Sequence, residues 1–237
     1  MLTLHHHMPL PPDHFPATLQ DRPAVTPQAE PSEAELDEFR DGILHLQTRR
    51  FATVTELMIR GMTGAGDALN QHHDLFDTRS GQRIEVKFCV VRQRADARIT
   101  AANVLDVVSS ASAQNRRVSF EDWEFHQFGC NIQQVKREDF DVLYYGLFFE
   151  DAVVVFRIPA AMVGERIHYS RTQHKGNTGE GQFHITHHNL QLHLDNFHEC
   201  TLSYVQVHSI LRDVAQKACI AAECQPDLPT LPERLAA

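Results

Sequence analysis

Nowhere in the 237 residues does an apolar run approach the ~18 positions that a bilayer-spanning helix needs, so the expectation is a soluble chain. No secretory leader is expected either: His5, His6, His7 and early prolines stand where such a leader has a continuous apolar segment. Cysteine is scarce and odd in number, with five residues and no C-x-x-C pair. That argues against a disulfide framework and fits a reducing cytoplasm. Cys89 then reads as a small buried hydrophobe. Positive charge is also in deficit, and a net charge of -9 counts against a nucleic-acid partner, because phosphate contacts need Lys and Arg. The deficit is uneven. Residues 13 to 41 hold eight acids against two arginines, whereas 79 to 117 hold seven arginines and Lys87 against three acids. A locally basic face leaves DNA open as a partner.

What is present centres on residues 74 to 88, DLFDTRSGQRIEVKF. Ile84, Val86 and Phe88 alternate with Glu85 and Lys87, so a strand here sends the apolar trio to the core and the carboxylate and amine to the other face. Thr78-Arg-Ser-Gly81 has the composition of a tight turn. Folding back there sets Asp77 opposite Gln82 and Asp74 opposite Glu85. Asp77 is then the poorer partner, ~10 Å further along at ~3.3 Å per residue. Two carboxylates held that close repel unless a cation lies between them, and carboxylate plus water ligands suit Mg²⁺ or Mn²⁺. With a lysine beside them, they are equipment for metal-assisted phosphodiester hydrolysis.

In Asp74, the short turn and Glu85-Val86-Lys87, the chain resembles the PD-(D/E)xK nucleases, the fold group of most type II restriction endonucleases. The likeness spans the organisation of roughly residues 50 to 160 and the identity of three positions, and His73 stands where the family has proline. The resemblance implies an α/β fold, a restriction-endonuclease-like α/β/α sandwich with a central mixed sheet. It implies Mg²⁺-dependent cleavage of double-stranded DNA at a specific short sequence, with Asp74 and Glu85 on the metal, Lys87 positioning the water and a helix glutamate, Glu56, assisting. A homodimer and a companion DNA methyltransferase are the expected partners. A structure-specific repair or recombination nuclease and a non-catalytic His-rich metal or DNA-binding module are the alternatives.

Along the chain, residues 1–31 carry seven of the eleven prolines and read as a flexible arm, 32–224 as one nuclease domain and 225–237 as a tail. Ser32-x-x-Glu35 is a capping box opening a helix to about 49, with Leu36, Phe39, Ile43 and Leu46 on one stripe. A second helix is expected near Thr53, where Thr53-x-x-Glu56 is itself a capping box competing with the metal-side role of Glu56. Arg92, Arg94 and Arg98 lead into a helix from Thr100 to about Ser112 with Val104, Val107 and Val108 inward. Phe120, Trp123, Phe125 and Phe128 are expected to pack together under a loop. Residues 141–149 and 152–158 read as central strands covered on both faces.

Seven of the sixteen histidines fall between His168 and His198. The segment about 165–200 reads as DNA-recognising, since Arg171, Gln173, His174, Lys175, Asn177 and Gln182 can reach base edges or phosphates, as can Arg92 and Arg94. The loop 64–73 is a second candidate for DNA contact. A zinc site among the histidines is weakly supported, because their spacing fits no ligand pattern, and Gln182-Phe-His-Ile185 alternates like a strand with Phe183 and Ile185 inward. A strand over 201–207 and a helix over 208–222 complete the domain.

Overall fold

The computed structural model describes residues 30–94, 98–110, 116–172 and 178–223. The N-terminal arm before Glu30, the tail from 224, and Gln173, His174, Lys175 and Asn177 lie outside the described residues. Among the described residues the chain is a mixed α/β protein with a six-stranded mixed sheet, a three-stranded sheet and five helices.

Ser32 opens helix α1 (Glu33–His45) with the expected capping box: its hydroxyl accepts from the Glu35 amide at 3.3 Å and its own amide donates to Glu35 Oε2 at 2.8 Å. The helix stops four residues short of expectation, because Leu46 is extended, and α2 (Thr48–Thr63) starts anew. Thr53 therefore sits inside α2, where its hydroxyl donates to the Arg49 carbonyl at 3.2 Å. The second capping box does not form, and Glu56 is freed from that duty.

Strands β1 (Gly66–Asp67), β2 (Leu75–Asp77) and β3 (Gln82–Val90) follow as an antiparallel series. Then come α3 (Val104–Ser110), β4 (Gly129–Val135), β5 (Val142–Phe148) and β6 (Ala152–Pro159). The C-terminal third supplies β7 (Ser170–Thr172), β8 (Thr178–Thr186), α4 (Leu190–Phe197), β9 (His198–Ser203) and α5 (Tyr204–Glu223). The large sheet has the order β1-β2-β3-β5-β6-β9, and β3 pairs with β5 in parallel while its other neighbours are antiparallel. The small sheet is β4-β8-β7.

Alternation along β5 and β6 divides the core in two. Val142, Tyr144, Phe148, Val153 and Val155 meet Phe51, Met58 and Ile59 of α2 and Val207 and Ile210 of α5. Leu143, Tyr145, Leu147, Val154 and Phe156 meet Ile132, Phe183 and Ile185 of the small sheet and Leu190 and Phe197 of α4. The sheet is thus covered on both faces as expected, but its second face by a small sheet and one short helix rather than by a helical layer. Gly146 is the one β5 position without a side chain, and it needs that smallness: a methyl there would collide with the Phe88 ring and the Val154 carbonyl.

Three readings of apolar pattern are corrected. Val104, Leu105 and Val108 of α3 are exposed and Val107 only half-buried, so this helix does not turn its apolar face to the core. Phe125 is exposed, while Phe128 is fully buried and Phe120 and Trp123 pack at the core margin. Strand β9 begins three residues earlier than expected and ends at Ser203. Periodicity says which residues share a face, not whether anything covers that face.

His193 of α4 is fully buried against Tyr145, whose hydroxyl lies 2.9 Å from Nδ1, while Nε2 has no partner among the described residues. Phe156, Phe183 and Phe197 surround the ring. Burial drives its pKa down to about 4, so the ring is neutral in the fold. A depressed folded-state pKa gives stability that is present above pH ~6.5 and lost as pH falls through about 4. Denaturant titrations should record a loss of about 3 kcal/mol over that window. A His193→Leu variant should lack this part of the slope, and an unchanged slope would refute the assignment.

Candidate active site

Turn chemistry separates the two aspartates of the hairpin. Asp77 Oδ1 accepts from the Arg79 amide at 3.0 Å, Oδ2 from the Ser80 hydroxyl at 2.7 Å, and its carbonyl from the Gly81 amide at 2.8 Å. Gly81 takes φ +71, a conformation open to glycine, and Asp77 pairs with Gln82 as expected. Asp77 is therefore spent on building the turn. Asp74 lies at the other end of β2: its amide donates to the Ile84 carbonyl at 3.0 Å and its Oδ2 accepts from the Val86 amide at 2.8 Å. With Leu75 opposite Ile84, Asp74 falls beside Glu85.

Glu85 and Lys87 emerge from the same face of β3, while Ile84 and Val86 are buried on the other. Lys87 Nζ stands 2.6 Å from Glu85 Oε1 and 3.6 Å from Asp74 Oδ2. Glu85 is only 8 % exposed. Burial pushes its pKa up to about 7, repulsion from Asp74 and Asp139 adds to the shift, and attraction to Lys87 offsets part of it. Burial works against the Lys87 ammonium, but Glu85 and Asp74 outweigh it and hold its pKa above the usual lysine value. Glu56 of α2 is also pushed up, first by burial and then by Asp74, against the pull of Lys87 and Arg60. Asp74 and Lys87 thus act electrostatically on both Glu85 and Glu56.

Two further groups were not anticipated. Asp139, in the turn before β5, bears on Glu85, and His72 Nδ1 lies 3.8 Å from its Oδ2. Its only sequence signal is the acidic run Glu138-Asp139-Phe140-Asp141, since the parallel pairing of β5 with β3 is what brings that turn to Glu85. His73 is 4 % exposed and its Nε2 accepts from the Leu69 amide at 3.3 Å, bracing the preceding loop.

The described residues chosen for DNA contact lie on separate elements. Arg92 donates to the Leu44 carbonyl at 3.2 Å, fastening β3 to the end of α1, and Arg94 is exposed with its amide on the Gln127 carbonyl. Arg171 is exposed on β7, and Gln182 on β8 accepts from Asn131 Nδ2 at 2.9 Å. Of the histidines, His187 and His188 have ring centroids 3.8 Å apart, His193 is buried on Tyr145, and His198 bonds Thr201. Among the described residues no three His, Cys, Asp or Glu side chains gather as a metal cluster.

Asp74 and Glu85 are a two-carboxylate donor pair, and their fit to a divalent ion has a physical test. Glu85 is a buried acid whose ionised form is destabilised by burial and by Asp74, with one lysine as partial relief. Further positive charge from a hard cation that completes its shell with water and phosphate oxygens, as Mg²⁺ does, would relieve the remainder. The donor pair fits such an ion. No protein-family model matches this chain, and no curated protein is detectably similar to it.

Proposed function

We propose that the chain is a Mg²⁺-dependent endodeoxyribonuclease of the PD-(D/E)xK kind, with a restriction-endonuclease-like core, cutting double-stranded DNA at a specific short sequence. The observation that carries the reading is the convergence of Asp74, buried Glu85 and Lys87, with Nζ within 3.6 Å of both carboxylates. Asp74 and Glu85 would hold Mg²⁺, with Mn²⁺ as a substitute, and the bound ion would stabilise negative charge on the phosphoryl oxygens and make a water more acidic. Lys87 orients the attacking water and neutralises charge on the scissile phosphate. Glu56, on α2 and under the charge of Asp74, would assist by contact with the metal or with a group that holds it. Arg94 and Arg171, both exposed, are phosphate contacts, and the segments 171–184 and 64–73 read the sequence. Cleavage of both strands of a symmetric site calls for a homodimer, and a companion methyltransferase would protect the host DNA.

The test is plasmid DNA incubated with the purified protein in Mg²⁺ and in EDTA, beside Glu85→Ala and Lys87→Ala. Discrete Mg²⁺-dependent fragments, lost in both variants, are the expected result. Cleavage of branched DNA irrespective of sequence would replace specific recognition by structure recognition. Stoichiometric zinc with no cleavage would give the chain to the histidine-module reading. Glu56→Gln should slow cleavage by about 10–100-fold, the range seen for groups that support a metal site, with folding retained. Unchanged single-turnover rates would remove Glu56 from the machinery.

A further inference from the structure

Two cysteines from different sheets meet beside the strand that carries the site. Cys89 lies two residues past Lys87 on β3, on the same face as Glu85 and Lys87, and is half-buried. Cys130, on β4, is 1 % exposed. Both Sγ atoms approach one and the same acceptor, the Val90 carbonyl, at 3.6 and 3.9 Å, which sets the two thiols side by side. The Cys130 hydrogen bond, against burial, holds the Cys89 thiol below its usual pKa, with help from the Asn131 backbone and the Arg92 charge. That same bond and burial push Cys130 well above its usual value. Reactive cysteines occupy partly exposed, electropositive surroundings of this kind.

We propose that Cys89 and Cys130 are an oxidation site for hydroperoxides, closing to a disulfide that ties β3 to β4 and restrains the site on β3. The regulatory half of this rests on the nuclease reading; the oxidation site does not. The Cys89 thiolate attacks the peroxide oxygen, the O–O bond breaks, and the alkoxide or hydroxide leaves and takes up a proton. Cys89 becomes a sulfenic acid as the peroxide is reduced to an alcohol or water. The Cys130 sulfur then attacks the sulfenic sulfur, the S–S bond forms, the S–O bond breaks, and the departing hydroxide leaves as water with the Cys130 proton. Drawing the two sulfurs from their places on the Val90 carbonyl to about 2.0 Å from one another moves β3 close to Lys87. Displacements near 1 Å at a reacting centre cost up to about 100-fold in rate.

The experiment exposes the folded full chain to hydrogen peroxide, alkylates the remaining thiols and maps peptides by mass. The expected result is a Cys89–Cys130 linked peptide with a loss of 2 Da, reversed by dithiothreitol. Cys200, whose thiol burial pushes up to about 11, should stay alkylatable, and exposed Cys219 reports the general dose. In Cys130→Ala, oxidation should stop at a Cys89 sulfenic acid trapped by dimedone, and Cys89→Ser should leave Cys130 unoxidised. No linked peptide at doses that oxidise Cys219 overturns the proposal. A linked peptide with DNA cleavage unchanged removes the regulatory half. The expected companion result is at least a 10-fold loss of cleavage, restored by dithiothreitol and absent in Cys130→Ala. Should the reduced protein cut no DNA, the nuclease reading fails while the peptide map still decides the oxidation site.

Discussion

Lys87→Ala is expected to reduce Mg²⁺-dependent cleavage by on the order of 10³-fold, measured as single-turnover rates on plasmid DNA. The loss has two sources that pH separates. One is direct: the ammonium that stands 2.6 Å from Glu85 and 3.6 Å from Asp74 no longer orients water or meets the phosphate. The other acts through Glu85. Its carboxyl is already pushed up to about 7, and Lys87 is the attraction that opposes burial. Without Lys87 the proton on Glu85 is held more tightly, so the ionised form needed for ligation arrives only at higher pH. The activity profile of Lys87→Ala should therefore shift to alkaline pH as well as fall. Lys87→Arg should recover little, because a planar guanidinium cannot take the place of a compact ammonium between two carboxylates. Wild-type rates in Lys87→Ala would refute the proposed role.

Glu85→Gln is expected to abolish cleavage and at the same time stabilise the metal-free fold. The folded-state pKa of Glu85 is raised, from 4.5 to about 7. Its contribution to stability is fully present below pH ~4.5 and is lost as pH rises through about 7. Above that point an ionised carboxylate remains in a site 8 % exposed, at a cost of about 3 kcal/mol relative to the neutral form. Glutamine has the shape of glutamic acid and no charge to lose. The two proteins should therefore unfold alike near pH 4.5, and the variant should gain up to about 3 kcal/mol as pH rises past 7. Mg²⁺ should then raise the denaturation midpoint of the wild type alone, by mass action on the folded state. A variant no more stable than wild type at pH 8 would refute the raised pKa of Glu85, which already includes the attraction of Lys87. Removing a charge held for function is a common route by which stability rises as activity is lost.

Much of this site was legible in residues 74 to 88. Alternation is a property of the strand itself, so Glu85 and Lys87 had to share a face and Ile84 and Val86 the other. A turn of fixed length sets register, so Asp77 had to meet Gln82 and Asp74 had to approach Glu85. The sequence left Glu56 undecided between a capping box and the site. Where α2 begins removed the capping box, and that start depends on Leu46 turning out of α1.

By itself the sequence determined the local features: the Ser32 cap, the hairpin with its turn and register, and the strands Val142–Phe148 and Ala152–Pro159. These depend on neighbours in the chain, where steric and hydrogen-bonding preferences act over a few residues. The tertiary structure alone decided the parallel pairing of β3 with β5, and so the reach of Asp139 to Glu85. It also decided the cover of the second sheet face by β4, β8 and α4, the exposure of α3, and the meeting of Cys89 with Cys130. Each of these joins segments far apart in the chain. Burial and long-range charge, which set the chemistry of Glu85, exist only once those segments have packed.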